Sequence, residues 1–368
     1  MTERRPVMIM AGGTGGHVYP GLAVARVLME QGIPVVWMGT HAGLEARVIP
    51  EAGITMAWLN VTGLRGKGWQ TLILAPVRLV MALFQSVAIM LRHKPAAILG
   101  MGGFVAGPGG AVGALMGRPL VIHEQNAVAG LTNRLLSVLS RRILEGFDGT
   151  FDKAARVEAV GNPVRRDIAA LPSPEQRFAG RQGPVRLLVI GGSLGAAALN
   201  ETVPAALALL TPDERPRVRH QAGSRNLDAA SEAYKASAVT ADVTAFITDM
   251  AEAYGWADLI ICRAGALTVA EVAAAGLAAV FVPYPHAVDD HQTANAAYLV
   301  NQGAALLLPQ SGLSAGKLAA VLRELCADRE RLLTMGQRAR QMARPDATAT
   351  VASVCAAYAG YEFDRGKV

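Results

Sequence analysis

Three glycine-rich segments stand out as places where chemistry could occur: Gly12-Gly13-Thr14-Gly15-Gly16, Gly100-Met101-Gly102-Gly103 and Gly191-Gly192-Ser193-Leu194-Gly195. Such turns let backbone N–H groups approach an anion at the positive end of a following helix. No Lys-Ser/Thr pair follows, so none is a Walker A loop, and the first lacks the third glycine of a dinucleotide fingerprint. His17 closes the first loop, where an imidazole could cap the helix, bind phosphate or act as a general base. The cluster His123-Glu124-Gln125-Asn126 follows an apolar run. In the run from Arg263 to Glu271, the carboxylate falls one helical turn past Leu267 and could accept two hydrogen bonds from a ribose diol. An acidic residue in a first helical turn also favours the helix dipole without any ligand.

A rival reading comes from the third loop, which also fits G-x-S-x-G, the nucleophile elbow of hydrolases. Asp258 or Asp289 with His291 could complete a triad. That elbow normally lies in mid-sheet, whereas the strand before Gly191 is expected to open a domain. A ligand cleft is therefore preferred.

The elements that must hold these residues alternate strand and helix. Short apolar strands are expected at 7–10, 35–38, 54–59, 97–99 and 120–122, with a first helix at about 20–31. The pattern breaks at Gly161-Asn162-Pro163 and restarts with strands at 186–190, 218–220, 243–247, 259–262 and 279–282. Helical patterns follow at 317–327 and 329–343, and a last helix is expected at 347–361, beyond Pro345. This reads as two doubly wound α/β domains in series, which suits 368 residues. The last helix could pack on the second domain or return to the first.

Charge is unevenly placed. The chain carries 35 basic and 29 acidic residues, yet no acidic residue lies between Glu51 and Glu124. That stretch holds Arg65, Lys67, Arg78, Arg92, Lys94 and Arg118, the whole basic excess, which points to an anionic partner on one face. Within it, a helix expected at about 70–91 is apolar nearly all round, and it is either core or partly in lipid. Arg65, Lys67, Trp69, Leu72, Leu79, Leu83, Phe84, Arg92 and Lys94 form a candidate membrane patch. The apolar run is too short to span a bilayer, so a soluble or peripheral protein is expected. Cys262, Cys326 and Cys355 contain no C-x-x-C pair, which argues against a disulfide scaffold or structural zinc.

Taken together, four motifs resemble the MurG family of bacterial N-acetylglucosaminyltransferases. They are Gly12–Gly21 with His17 and Pro20, His123-Glu124-Gln125-Asn126, Gly161-Asn162-Pro163-Val164-Arg165, and Arg263-Ala264-Gly265-Ala266-Leu267-Thr268-Val269 with Glu271. The resemblance runs in order from about residue 7 to 360. It implies the GT-B fold: two Rossmann-like, doubly wound parallel-sheet domains facing across a cleft. The division it implies is 1–163 for the acceptor and membrane, 164–344 for the donor, and a helix in 345–368 packing back on the first. The implied reaction transfers N-acetylglucosamine, with inversion, from UDP-N-acetylglucosamine to the 4-hydroxyl of the muramoyl sugar of undecaprenyl-linked lipid I, giving lipid II.

By the same resemblance, Ile247 meets uracil through its backbone, Glu271 holds the ribose, and Ser193 and Arg165 contact the diphosphate. Ala266, Leu267, Thr268, Val269 and Ala270 form the helix start at the phosphates. Gln292 and Asn295 read the sugar, and Thr14, Gly15, Gly16 and Asn126 close the site from the first domain. His17 is the first choice for general base, with Glu124 as the rival. Leu194 and Phe104 depart from residues common in the family. No Asp-x-Asp occurs in the chain, so metal-independent transfer without a cofactor is expected. The implied location is the cytoplasmic face of the inner membrane, with anionic lipid and other cell-wall synthesis proteins as partners and no nucleic acid.

Overall fold

A computed structural model describes residues 4–60, 75–192 and 195–367. The chain forms two compact units, Met1–Val164 with Asp346–Val368, and Arg165–Pro345.

In the first unit the order is β1 (Val7–Met10), α1 (Gly15–Glu30), β2 (Val35–Gly39), α2 (Glu45–Glu51), β3 (Thr55–Trp58), α3 (Ala75–His93), β4 (Ala97–Gly100), α4 (Gly103–Leu115), β5 (Leu120–Glu124), α5 (Leu131–Ser137), β6 (Arg142–Glu145) and β7 (Val157–Ala159). The seven strands make one parallel sheet in the order β3-β2-β1-β4-β5-β6-β7. The β1 side chains have no exposed surface, as expected for strands covered on both faces. The order reverses between β1 and β4, which pair with Met10 opposite Gly100. The first two glycine loops leave the carboxyl ends of these strands, beside the switch point where open α/β sheets bind ligands.

The sequence places the start of α1 near Pro20, but the helix begins at Gly15 and Pro20 lies inside it. Proline lacks an N–H, so the Gly16 carbonyl loses its usual helical partner in the turn beside the loop. Strands β6 and β7 were not expected. Both are short, and β6 carries charged residues at its ends, which hides its apolar centre.

Helix α3 covers Ala75–His93 among the described residues, and its two faces differ. Ala82, Ser86 and Met90 are fully buried, and Leu83 packs inward against the cluster formed with Met8, Met10 and Ile98. Leu83 is therefore a core-side residue, contrary to its expected place in the membrane patch. The opposite row, Val77, Val80, Met81, Phe84, Val87 and Leu91, is exposed, with Phe84 at 73%. Leu79, Arg92 and Lys94 are exposed as well. Arg65, Lys67, Trp69 and Leu72 lie outside the described residues. Helix α5 and the turn after it carry a second exposed apolar row, Leu131, Leu135, Val138 and Leu139. Both α3 and α5 pack on α4. Among the described residues, no helix is long and apolar enough to cross a membrane.

The second unit continues with α6 (Arg166–Ala169), α7 (Pro174–Phe178), β8 (Arg186–Ile190), α8 (Ala197–Ala208), β9 (Arg217–Gln221), α9 (Leu227–Ala236), β10 (Ala241–Thr244), α10 (Met250–Trp256), β11 (Leu259–Cys262), α11 (Ala266–Ala275), β12 (Ala278–Phe281), α12 (His291–Val300), β13 (Ala305–Leu307), α13 (Ala315–Ala327) and α14 (Arg329–Gln341). Its parallel sheet has the order β10-β9-β8-β11-β12-β13, so its switch point lies between β8 and β11. β8 opens the unit in sequence yet sits in mid-sheet, which removes the positional argument made against the nucleophile elbow. The geometry of Asp258, described below, supplies a better one.

The last helix, α15 (Ala347–Ala359), packs against α1, and Val351, Ala352, Cys355 and Ala356 are fully buried in the first unit's core. Just past α15, the Tyr361 hydroxyl donates to the Arg5 carbonyl at 2.8 Å.

Candidate active site

In the first unit, His17 lies in the first turn of α1, whose N-cap is Thr14. Its ring crosses the second glycine loop. A Cβ on Gly102 would lie 3.0 Å from the imidazole Cδ2 and 3.1 Å from Nε2. Gly102 has φ +93°, a backbone region that an L side chain rarely adopts. A Cβ on Gly103 would stand 2.8 Å from the Gly12 carbonyl oxygen, so the two loops touch backbone to backbone.

The same Cβ position on Gly102 lies 3.7 Å from Asn133 Nδ2, which leads into the Glu124 network. Glu124 is 2% exposed, and its two oxygens accept four hydrogen bonds. Oε1 receives the Asn126 N–H at 3.0 Å and Asn126 Nδ2 at 3.2 Å. Oε2 receives the Gly130 N–H at 3.0 Å and Asn133 Nδ2 at 2.9 Å. A carboxylate so occupied is a loop organiser, and taking a substrate proton would cost it one of these partners. His123 is fully buried: Nε2 donates to the Gly161 carbonyl at 2.9 Å, and Nδ1 accepts from Gln125 Nε2 at 3.2 Å. Burial holds its pKa below the ordinary histidine value, against the Gly161 hydrogen bond and the Glu124 charge. Asn162 Nδ2 donates to the Gln125 carbonyl at 2.9 Å and ties this cluster to the Gly161 turn.

In the second unit, the loops after β8 and β11 flank the switch point. Gly191 and Gly192 follow β8, while Ser193 and Leu194 lie outside the described residues. After β11, Gly265 caps α11. The Val269 N–H already donates to the Gly265 carbonyl at 2.9 Å, so Val269 is not one of the helix-start donors expected from the sequence. Ala266, Leu267 and Thr268 keep that position, and Ala270 lies a turn further in. Asn295 is fully buried and donates to the Ala264 carbonyl at 3.1 Å. It braces the loop and has no surface with which to read a sugar, contrary to expectation. Gln292 accepts the Tyr284 N–H at 2.9 Å and the Ala264 N–H at 3.3 Å with its carbonyl end, which leaves its NH₂ end as donor.

Arg165 and Glu271 come together, with Nε 3.8 Å from Oε1. Glu271 Oε2 accepts from the Tyr254 hydroxyl at 3.0 Å. Burial raises the Glu271 pKa to about 7, opposed by the Arg165 charge and the Tyr254 hydrogen bond, while Asp167 adds to the rise. Ile247 donates its N–H to Gln221 Oε1 at 3.1 Å, and Gln221 Nε2 donates to the Gly192 carbonyl at 3.0 Å. One glutamine thus joins the loop after β8 to the loop after β10. Phe246, beside Ile247, is 56% exposed.

The hydrolase reading loses one of its acids. Asp258 precedes the amino end of β11, at the opposite end of the sheet from the loop after β8. It is committed to Arg181 and to the Arg186 N–H.

Sequence reasoning missed Glu45, Asn133, Gln221 and Tyr254. Glu45, Asn133 and Gln221 lie at or soon after the carboxyl ends of β2, β5 and β9, the same signal that picked out His123 to Asn126. Tyr254, inside α10, carries no such signal.

Comparison with known proteins bears on the family and the fold. Residues 7–145 match the glycosyltransferase family 28 N-terminal domain, and residues 186–351 match the glycosyltransferase family 28 C-terminal domain. A UDP-N-acetylglucosamine–N-acetylmuramyl-(pentapeptide) pyrophosphoryl-undecaprenol N-acetylglucosamine transferase of Alkalilimnicola ehrlichii is 59% identical, covering 95% of this chain and 98% of its own. The protein of the same description in Marinobacter nauticus is 53% identical, with 96% and 98% covered. The crystal structure of Acinetobacter baumannii MurG is similar with a TM-score of 0.83 at 42% identity, covering 95% of this chain and 99% of that one.

Proposed function

The chain belongs to glycosyltransferase family 28, and from that premise we propose that it transfers N-acetylglucosamine from UDP-N-acetylglucosamine to the muramoyl 4-hydroxyl of undecaprenyl-pyrophosphoryl lipid I, forming lipid II. The observation that carries the donor half is the Arg165–Glu271–Tyr254 group beside the start of α11. A carboxylate there accepts both ribose hydroxyls, a guanidinium meets the diphosphate, and helix-start N–H groups add to it. The Ile247 carbonyl offers an acceptor to the uracil N3–H, and the Gln292 NH₂ group reaches for the sugar.

In the reaction, the acceptor 4-oxygen forms a bond to the anomeric carbon as the bond to the diphosphate oxygen breaks. The electron pair leaves with UDP, and attack from the opposite face inverts the configuration. The hydroxyl proton passes to the His17 imidazole. Charge growing on the leaving diphosphate is met by Arg165 and the α11 start, a task for preorganised donors. Glu124, saturated by four donors, shapes the loop that carries Asn126. No step calls on a metal, and a chelator is expected to leave the rate unchanged.

The exposed rows of α3 and α5, with Arg92 and Lys94, are the proposed contact with an anionic membrane surface. This suits an acceptor held by a polyprenyl chain and gives a peripheral place on the cytoplasmic face of the inner membrane.

Calorimetric titration tests the donor half. UDP is expected to bind, and Glu271→Ala to weaken it by removing two charge-assisted hydrogen bonds of about 1.5–3 kcal/mol each before compensation. Equal affinity in mutant and wild type contradicts the ribose role.

A further inference from the structure

Glu45 opens α2, has no exposed surface and takes no part in the chemistry above. Its Oε2 accepts the Gly13 N–H at 2.9 Å. Its Oε1 accepts the Thr40 N–H at 3.0 Å and the Thr40 hydroxyl at 2.9 Å. An isolated carboxylate in such a place is costly, and charge-assisted hydrogen bonds offset that cost.

The surrounding backbone is built to admit it. A Cβ on Gly12 would lie 2.7 Å from Glu45 Oε1, and one on Gly39 would lie 2.7 Å from its Cγ. A Cβ on Gly43 would overlap the carboxylate itself. Three glycines, one after β1 and two at or after the end of β2, leave room for one side chain. It binds the loop after β1 to the loop after β2 through charge and hydrogen bonds.

We infer that Glu45 is a positioning residue for the transfer, fixing the first glycine loop so that the His17 imidazole lies across Gly102. It does not touch the reacting atoms. It holds Gly13, four residues before the base, and commits that N–H inward and away from any bound anion. The inference rests on the proposed role of His17.

The test is Glu45→Gln in the full chain. The amide keeps the size of the side chain but has one acceptor oxygen for two loops, and its NH₂ end faces a donor. A misplacement of about 1 Å can cost about 10²-fold in rate, and a kcat loss of that order is expected. The Kd for UDP, whose proposed contacts lie in the second unit, should not change. Glu45→Asp, which restores the charge on a shorter arm, should recover part of kcat.

Thr40→Val removes only the hydroxyl bond and gives a milder variant should Glu45→Gln fold poorly. A smaller loss of kcat is expected from it at unchanged UDP affinity. Hydrogen exchange at the Gly13 amide should accelerate in Glu45→Gln. Unaltered Gly13 exchange overturns the inference whether or not the chain transfers sugar. Wild-type kcat in Glu45→Gln also overturns it, as does a parallel loss of UDP affinity, which would mark general unfolding. A wild-type chain that transfers no sugar refutes the proposed function instead, and the exchange result still decides the tie.

Discussion

The His17 ring lies against Gly102 while Glu124 is held by four donors, and these surroundings suit them to different work. His17→Ala is expected to lower kcat by about 10²–10⁴-fold, abolish the acidic limb of the rate profile and leave UDP affinity intact. Glu124→Gln should also slow turnover, since one of its four donors loses an acceptor, but the acidic limb should persist. The reverse pattern makes Glu124 the base. Glu271 gives a second test. Its carboxyl titrates at about 7 because burial outweighs Arg165 and Tyr254, with Asp167 pushing the same way. The ionised form, the better acceptor for a ribose diol, appears only as pH rises through that value. Uridine affinity should therefore climb between about pH 6 and pH 8, and Glu271→Gln should flatten the climb. The stability sign is opposite. A raised folded pKa means this group's contribution is full below its ordinary value and is lost as pH rises through about 7. Sequence reasoning picked out His17, Glu124 and Glu271 by their places after expected strands, and Arg165 only through the family motif. It did not disclose that Asn295 is buried, nor that Glu45 and Gln221 tie loops together, because those facts depend on contacts between segments distant in sequence.

Helix α3 shows what composition alone leaves open at the scale of an element. Apolar residues occupy both faces, so periodicity could not separate the face against the sheet from the face toward solvent. The structure assigns Met90, Ala82 and Leu83 inward and Phe84 outward. Met90→Ala should therefore destabilise the first unit by about 2–5 kcal/mol, read from denaturant unfolding. Phe84→Ser with Leu135→Ser should leave stability nearly unchanged and weaken binding to anionic vesicles. That binding should fall as salt rises. Vesicle binding indifferent to both substitutions and to salt would return the α3 and α5 rows to ordinary surface. The strands were read correctly where apolar runs were unbroken, as in β1, β8 and β11. β6 and β7 were missed because three or four residues that include charges give too short a signal, and β13, an apolar strand of three residues, was missed as well. The early start of α1 was missed because Pro20 normally marks a first turn, and here it sits inside the helix.

Across the whole molecule, one architecture appears twice. Each unit brings two loops to a switch point: those after β1 and β4 in the first, and those after β8 and β11 in the second. The chain passes into the second unit at Arg165 and back at Asp346, and α15 completes the first unit's core. Deleting residues 346–368 should uncover the face of α1 that packs on Val351 and Cys355 and lower the melting temperature of the first unit. The division of labour leads to one decisive measurement: UDP release from UDP-N-acetylglucosamine, with and without a polyprenyl-pyrophosphoryl muramoyl pentapeptide acceptor. The account predicts release only with acceptor, one UDP for each sugar gained, and a new linkage at the muramoyl 4-hydroxyl with inverted configuration. UDP release at the same rate in water alone, or no product on the lipid-linked acceptor, would contradict it.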